Sequence, residues 1–123
     1  MVRRNTRTVG DAAEELAHEF LQRRGLRPVE RNFRCRHGEI DLIMLDHDCL
    51  VFVEVRFRSP GAFSSAAVTV DHRKQSKLVR TAEMFLAMRP ALSSHTARFD
   101  VIGVDGGGDG RQSVEWIRDA FGP

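Results

Sequence analysis

The chain has 123 residues, 41% of them hydrophobic and 29% charged, which is one domain's length and an ordinary globular composition. No stretch approaches the roughly 18 apolar residues of a membrane span, and no apolar segment follows the basic start MVRRNTRTVGD to make a secretory signal. Net charge is only +2, and Cys35 and Cys49 stand outside any CxxC pair, so a cytoplasmic protein with reduced thiols is expected.

The first predicted element is a helix over residues 11–24, where Ala13, Leu16, Ala17, Phe20 and Leu21 recur at helical spacing and Gly25 supplies the stop. Residues 1–9 read as a flexible lead-in. LRPVERNFRC is an extended segment. HGEIDLIMLDHDCLVFVEVRFR, residues 37–58, is a β-hairpin with strands over about 38–45 and 50–57, joined by a tight turn centred on His47 and Asp48. SPGAFSSAA reads as a loop, and a second helix over 71–88 puts Leu78, Ala82, Phe85 and Leu86 on one face. RPALSSH is a loop, ARFDVIGV a strand, DGGGDGR a glycine-rich turn and SVEWI a last strand. The order α-β-β-β-α-β-β, without repeat or linker, specifies one α/β domain over 1–123, a mixed sheet flanked by helices.

The hairpin turn pairs residues whose numbers sum to 95. One face then carries Met44/Val51, Leu42/Val53 and Ile40/Val55, wholly apolar; the other carries Ile43/Phe52, Asp41/Glu54 and Glu39/Arg56. A slip of one residue would spoil both faces, so the apolar pattern fixes the register. It sets Asp41 opposite Glu54, with Cβ atoms roughly 5 Å apart. Like charges so placed need neutralising. A shared proton or a neighbouring Arg would do it, and a divalent cation would do it best, since Mg²⁺ takes one or two carboxylates plus waters and phosphate oxygens. A cluster in which Arg56 and Arg58 neutralise Asp41, Glu54 and Glu39 without metal is the alternative, and spacing leaves both open. An acidic centre between basic segments suits a metal site beside a polyanion, and solvated faces that happen to cluster are the alternative. Residues 1–36 and 51–80 each carry net +4, and residues 37–50 between them net −4.

GEIDLI followed by FVEVRFR is similar to the PD-(D/E)xK nuclease signature. With the first-helix pattern of Gly10, Glu14, Ala17, Phe20, Leu21 and Gly25, then RNFR, KQSKL, RFDVI and EWIRDAF, nearly the whole chain resembles the YraN family of predicted endonucleases. These are themselves similar to archaeal Holliday junction resolvases.

The resemblance implies a restriction-endonuclease-like fold and a metal-dependent endonuclease acting on branched DNA. Asp41 and Glu54 become ligands of Mg²⁺ or Mn²⁺, and Glu14 a further acid on the first helix. Asp11-x-x-Glu14 is also a capping-box arrangement, which would give Glu14 a structural task instead. Arg56 occupies the signature's lysine position. It cannot be a general base, because arginine does not deprotonate, but it can orient a phosphate. Lys74 matches the family's KQ motif and is a candidate to supply an amine; a solvated lysine is the alternative. Glu39 is expected to support the site from opposite Arg56, while Arg58, Arg73 and Lys77 are expected to contact phosphates. Ser64 and Ser65 stand where the family usually has glycine. The resolvase analogy implies a homodimer. Competing with the nuclease are a non-catalytic DNA-binding or adaptor module with a degenerate site, and a protein-interaction domain. Arg98 and Asp100, on one face of their strand, are expected to form a structural ion pair, and the five histidines show no metal spacing.

Overall fold

The computed structural model describes residues 6–58, 70–106 and 113–122. The start of the lead-in, the 59–67 loop with Ser64 and Ser65, and most of the glycine-rich turn lie outside the described residues. The elements are helix α1 (Thr6–Arg23), strands β1 (Arg27–Cys35), β2 (Gly38–Asp46) and β3 (Cys49–Arg58), helix α2 (His72–Met88), a 3₁₀ turn (Pro90–Leu92), and strands β4 (Thr96–Asp105) and β5 (Ser113–Phe121). The expected α/β class and element order are present, and the arrangement is consistent with a restriction-endonuclease-like fold. No described helix is long and apolar enough to cross a membrane.

Both helices end where local chemistry ends them. Gly25, at φ 95°, closes α1, with Gly25 N–H donating to the Gln22 carbonyl and Leu26 N–H to that of Leu21. Asp71 caps α2, its carboxylate accepting from Lys74 N–H at 2.9 Å. Helix α1 begins at Thr6 rather than Asp11, so Asp11 lies inside the helix and the capping-box alternative for Glu14 falls.

The five strands run in sequence order across one sheet, antiparallel except for the parallel pair β3–β4 that α2 bridges. Helix α1 lays Ala13, Ala17 and Leu21 on Leu42, Met44, Val51, Val53, Ile102 and Val104. Helix α2 covers the opposite face, packing Leu78, Ala82 and Phe85 on Ile43, Leu50, Phe52 and Phe99. Each fully buried aliphatic side chain contributes roughly 1.5–3 kcal/mol, so these two stripes hold the layers together. Where the β1–β2 hairpin turns, α2 comes down on Gly38; a Cβ there would meet Thr81 Oγ1 at 3.3 Å.

The β2–β3 register is the expected one from Asp46↔Cys49 to Leu42↔Val53, with His47 at φ 54° in the turn. There the ladder stops. Ile40, expected beside Leu42 and Met44, packs instead with Ile43 and Phe85 on the α2 face. The reversal has a partner on β1. Asn32 takes φ 53°, and its neighbours face opposite sides: Arg31 pairs with Glu15 of α1, while Phe33 meets the ring of Phe85 of α2. The flanking pairs Arg31↔Leu42 and Phe33↔Ile40 place Asn32 level with Asp41. Both strands therefore turn over at one level of the sheet.

Candidate functional site

Asp41 lies between two neighbours that face opposite sides, so its side chain is left running along the sheet. It reaches towards β3, where Val55 N–H donates to Oδ2 at 2.8 Å. Glu54, the residue before, is within hydrogen-bonding reach of the Asp41 carboxyl. The expected meeting of the two acids is present, but it corrects in form. They meet where the ladder has ended, through the inserted Asp41 side chain, and not as a ladder pair.

Both acids are buried, at 8% and 4% exposure. Burial, the hydrogen bond to Glu54 and that group's charge push Asp41 up to about 9, partly opposed by the Val55 N–H. Without a cation, this environment favours the protonated form of Asp41. Glu54 Oε2 is buried and receives no hydrogen bond from the described residues. The Lys74 ammonium comes to 3.2 Å of that oxygen, close enough for an ion pair but without hydrogen-bond alignment. That contact gives Lys74 a buried partner while its side chain stays 39% exposed.

Glu14, half-buried on α1, looks onto the pair from the other face. Burial raises its pKa first, then the charges of Glu39 and Asp11, with Glu54 adding to them and Arg31 opposing. A cleft of about 280 Å³ opens beside it, lined by Gly10, Asp11, Glu14, Asn32, Arg34 and Glu39. Sequence thus located Glu14, Asp41, Glu54 and Lys74, on four elements, and the fold brings them to one end of the sheet. Two participants gave no signal in the sequence: the Val55 backbone N–H, and the left-handed turn at Asn32.

The remaining candidates are less centrally placed. Arg56 is half-buried on β3 beside a recess that Val55, Phe57 and Arg58 also line. Glu39, expected opposite Arg56, stands opposite Arg34 on β1 and pairs with its guanidinium, because the β2–β3 ladder that carried the expectation does not extend so far. Arg58, expected on phosphate, is 12% exposed and held by Asp105 at 2.8 Å and Glu115 at 3.3 Å. Arg73 and Lys77 are exposed on α2. Among the described residues, no group of three or more His, Cys, Asp or Glu side chains is arranged to hold a metal.

At the other end of the hairpin, Arg98 and Asp100 form the expected structural pair at 3.0 Å, and Arg98 also reaches Asp46 at 3.0 Å. Sequence missed that Trp116 Nε1–H and Asp119 N–H also donate to Asp100, each at 2.9 Å.

The model of the uncharacterised protein family UPF0102 matches residues 13–104. The chain belongs to that family. It is the YraN family expected from the motifs. A UPF0102 protein of Pseudomonas syringae pv. syringae is 46% identical over 121 residues, covering 98% of each chain. One of Photobacterium profundum is 50% identical over 114 residues, covering 92% of this chain and 89% of its own.

Proposed function

We propose that this protein is a divalent-cation-dependent endonuclease that hydrolyses phosphodiester bonds, with DNA, branched DNA foremost, as its substrate. One observation carries the reading: among the described residues the buried Glu54 Oε2 receives no aligned hydrogen bond, only the Lys74 ammonium at 3.2 Å, and the Glu54 carboxyl lies against a second buried carboxyl, Asp41. Burying acceptors without donors is costly unless something else completes the site. The donor set suits Mg²⁺ or Mn²⁺: hard oxygens only, two carboxylates, and remaining positions left to water and a phosphate. A cation held by Asp41 and Glu54 would supply Lewis-acid polarisation of the phosphoryl group and activation of water.

The chain's own residues do the rest. Asp41 gives up its proton when a cation is bound, so affinity rises with pH towards about 9. Lys74, already at Glu54, places positive charge where charge develops on the phosphoryl oxygens. Arg56, which cannot act as a base, would orient the phosphate. Glu14 adds negative potential beside the pair and tightens cation binding. Arg73 and Lys77 extend positive charge along α2 for the strand backbone. Cutting both strands of a duplex takes two copies of the site, so the reading includes a homodimer.

The test compares branched, flapped and linear DNA, and RNA, with Mg²⁺, Mn²⁺ or chelator, in wild-type and Asp41→Ala protein. Metal-dependent cleavage of branched DNA that disappears in the variant is expected, with DNA binding kept in chelator. Arg56 in the lysine position favours one competing reading, a binding module with a degenerate site. That reading wins if affinity for DNA falls steeply with salt while no cation supports cleavage.

A further inference from the structure

The reversal of β1 at Asn32 is unexplained by the sheet itself. An edge strand with regular alternation would keep Arg31 and Phe33 on one face, and β2 would keep Ile40 beside Leu42. Regular alternation would also turn Asp41 onto the α2 face with Ile43 and leave the Val55 N–H to a strand carbonyl. Instead, Asn32 holds φ 53° in mid-strand, level with Asp41, and the two strands turn over together. Among the described residues only one side of β1 is paired, so an irregular residue there disturbs one ladder and not two. Asn32 is exposed and lines the cleft next to Glu14, so packing of its own side chain does not account for its conformation.

We infer that Asn32 is a positioning residue for the cation site: its left-handed backbone turns β1 over, β2 follows, and the Asp41 carboxylate is delivered into the gap between β2 and β3. The inference rests on the cation reading for its purpose, though not for its geometry. Asparagine is suited to the task because, after glycine, it enters the left-handed region most readily, whereas a β-branched side chain is strongly opposed there. With such a side chain, β1 returns to regular alternation and takes β2 with it.

The experiment uses the full chain with Asn32→Gly, Asn32→Ala and Asn32→Val. Two quantities are measured: hydrogen exchange of the Val55 amide in chelator, which reads the bond to Asp41, and calorimetric affinity for Mn²⁺. Asn32→Gly keeps both at wild-type values, because glycine adopts the same conformation. Asn32→Val loses protection at Val55 and binds Mn²⁺ at least about tenfold more weakly, the range of a lost orienting contact. Asn32→Ala moves the same way by less, and decides the matter if the valine variant does not fold. The inference is overturned if the folded valine or alanine variant matches wild type in both quantities. It is equally overturned if the glycine variant loses both, since the side-chain amide and not the backbone would then be responsible. If wild type takes up no Mn²⁺, the cation reading fails, and the Val55 amide alone still decides the role of Asn32.

Discussion

Asp100 and the Asp41–Glu54 pair are buried in one sheet, each level with a left-handed residue on the next strand, Asp119 at φ 50° and Asn32 at φ 53°. Around Asp100 every lone pair has a use. Arg98 Nε and Nη2, Trp116 Nε1 and Asp119 N–H all donate to it, and a guanidinium neutralises its charge. Around Asp41 and Glu54, a backbone N–H and a misaligned ammonium stand in for that shell. All three acids are buried, but their hydrogen-bond satisfaction differs. Evolution of a stable fold explains the first arrangement. The second costs stability, and such costs are found where a protein binds or reacts.

Removing the carboxylate from the satisfied site gives the largest effect. Asp100→Ala leaves Arg98 without its main partner and is expected to cost about 3–5 kcal/mol, read by urea unfolding. A loss under about 1 kcal/mol would show that Asp100 is dispensable and dissolve the contrast. Next comes ligand linkage. At a hundred times its dissociation constant, Mn²⁺ should stabilise wild type by about 2.7 kcal/mol and Asp41→Ala not at all, read by thermal unfolding.

In chelator the sign reverses for the unsatisfied site: Asp41→Asn should stabilise the protein by roughly 1–3 kcal/mol at neutral pH. Linkage fixes the direction. Asp41 is raised from 3.8 to about 9, so between those values the folded state binds more protons than the unfolded one, and stability falls as pH rises. Metal-free wild type should therefore lose stability from about pH 4 to about pH 9, and Asp41→Asn should lose that part of the slope. A flat wild-type profile over this window would mean that the pair is neutralised in some other way. The smallest effect is Trp116→Phe, which removes one bond to Asp100 and should cost about 1 kcal/mol.

The hairpin register was legible because a two-residue turn and an unbroken apolar face leave only one pairing that buries every valine. Its break was not legible. Ile40-Asp41-Leu42 reads as perfect alternation, and the cause of the reversal lies on another strand, in one backbone angle at Asn32 that no periodicity records. Lys74 could be singled out as a candidate, but its contact with Glu54 depends on how α2 settles on the sheet. The Arg98–Asp100 pair was visible because both side chains lie on one face of one strand. Trp116 and Asp119 were invisible because the β4–β5 register shifts between Phe99 and Val101. What sequence conveys well is local period and the chemistry of single residues; what it hides is where a strand departs from its period.

The approach of α2 to Gly38 has a consequence for distance at the acidic end of the sheet. Glycine's lone hydrogen sets the helix height there, so Lys74, at the N-terminal turn of the same helix, inherits its reach from a group the chain leaves out. A methyl at position 38 would press on Thr81 of the helix that carries Lys74, so the Lys74–Glu54 ion pair is sensitive to a contact that touches neither partner.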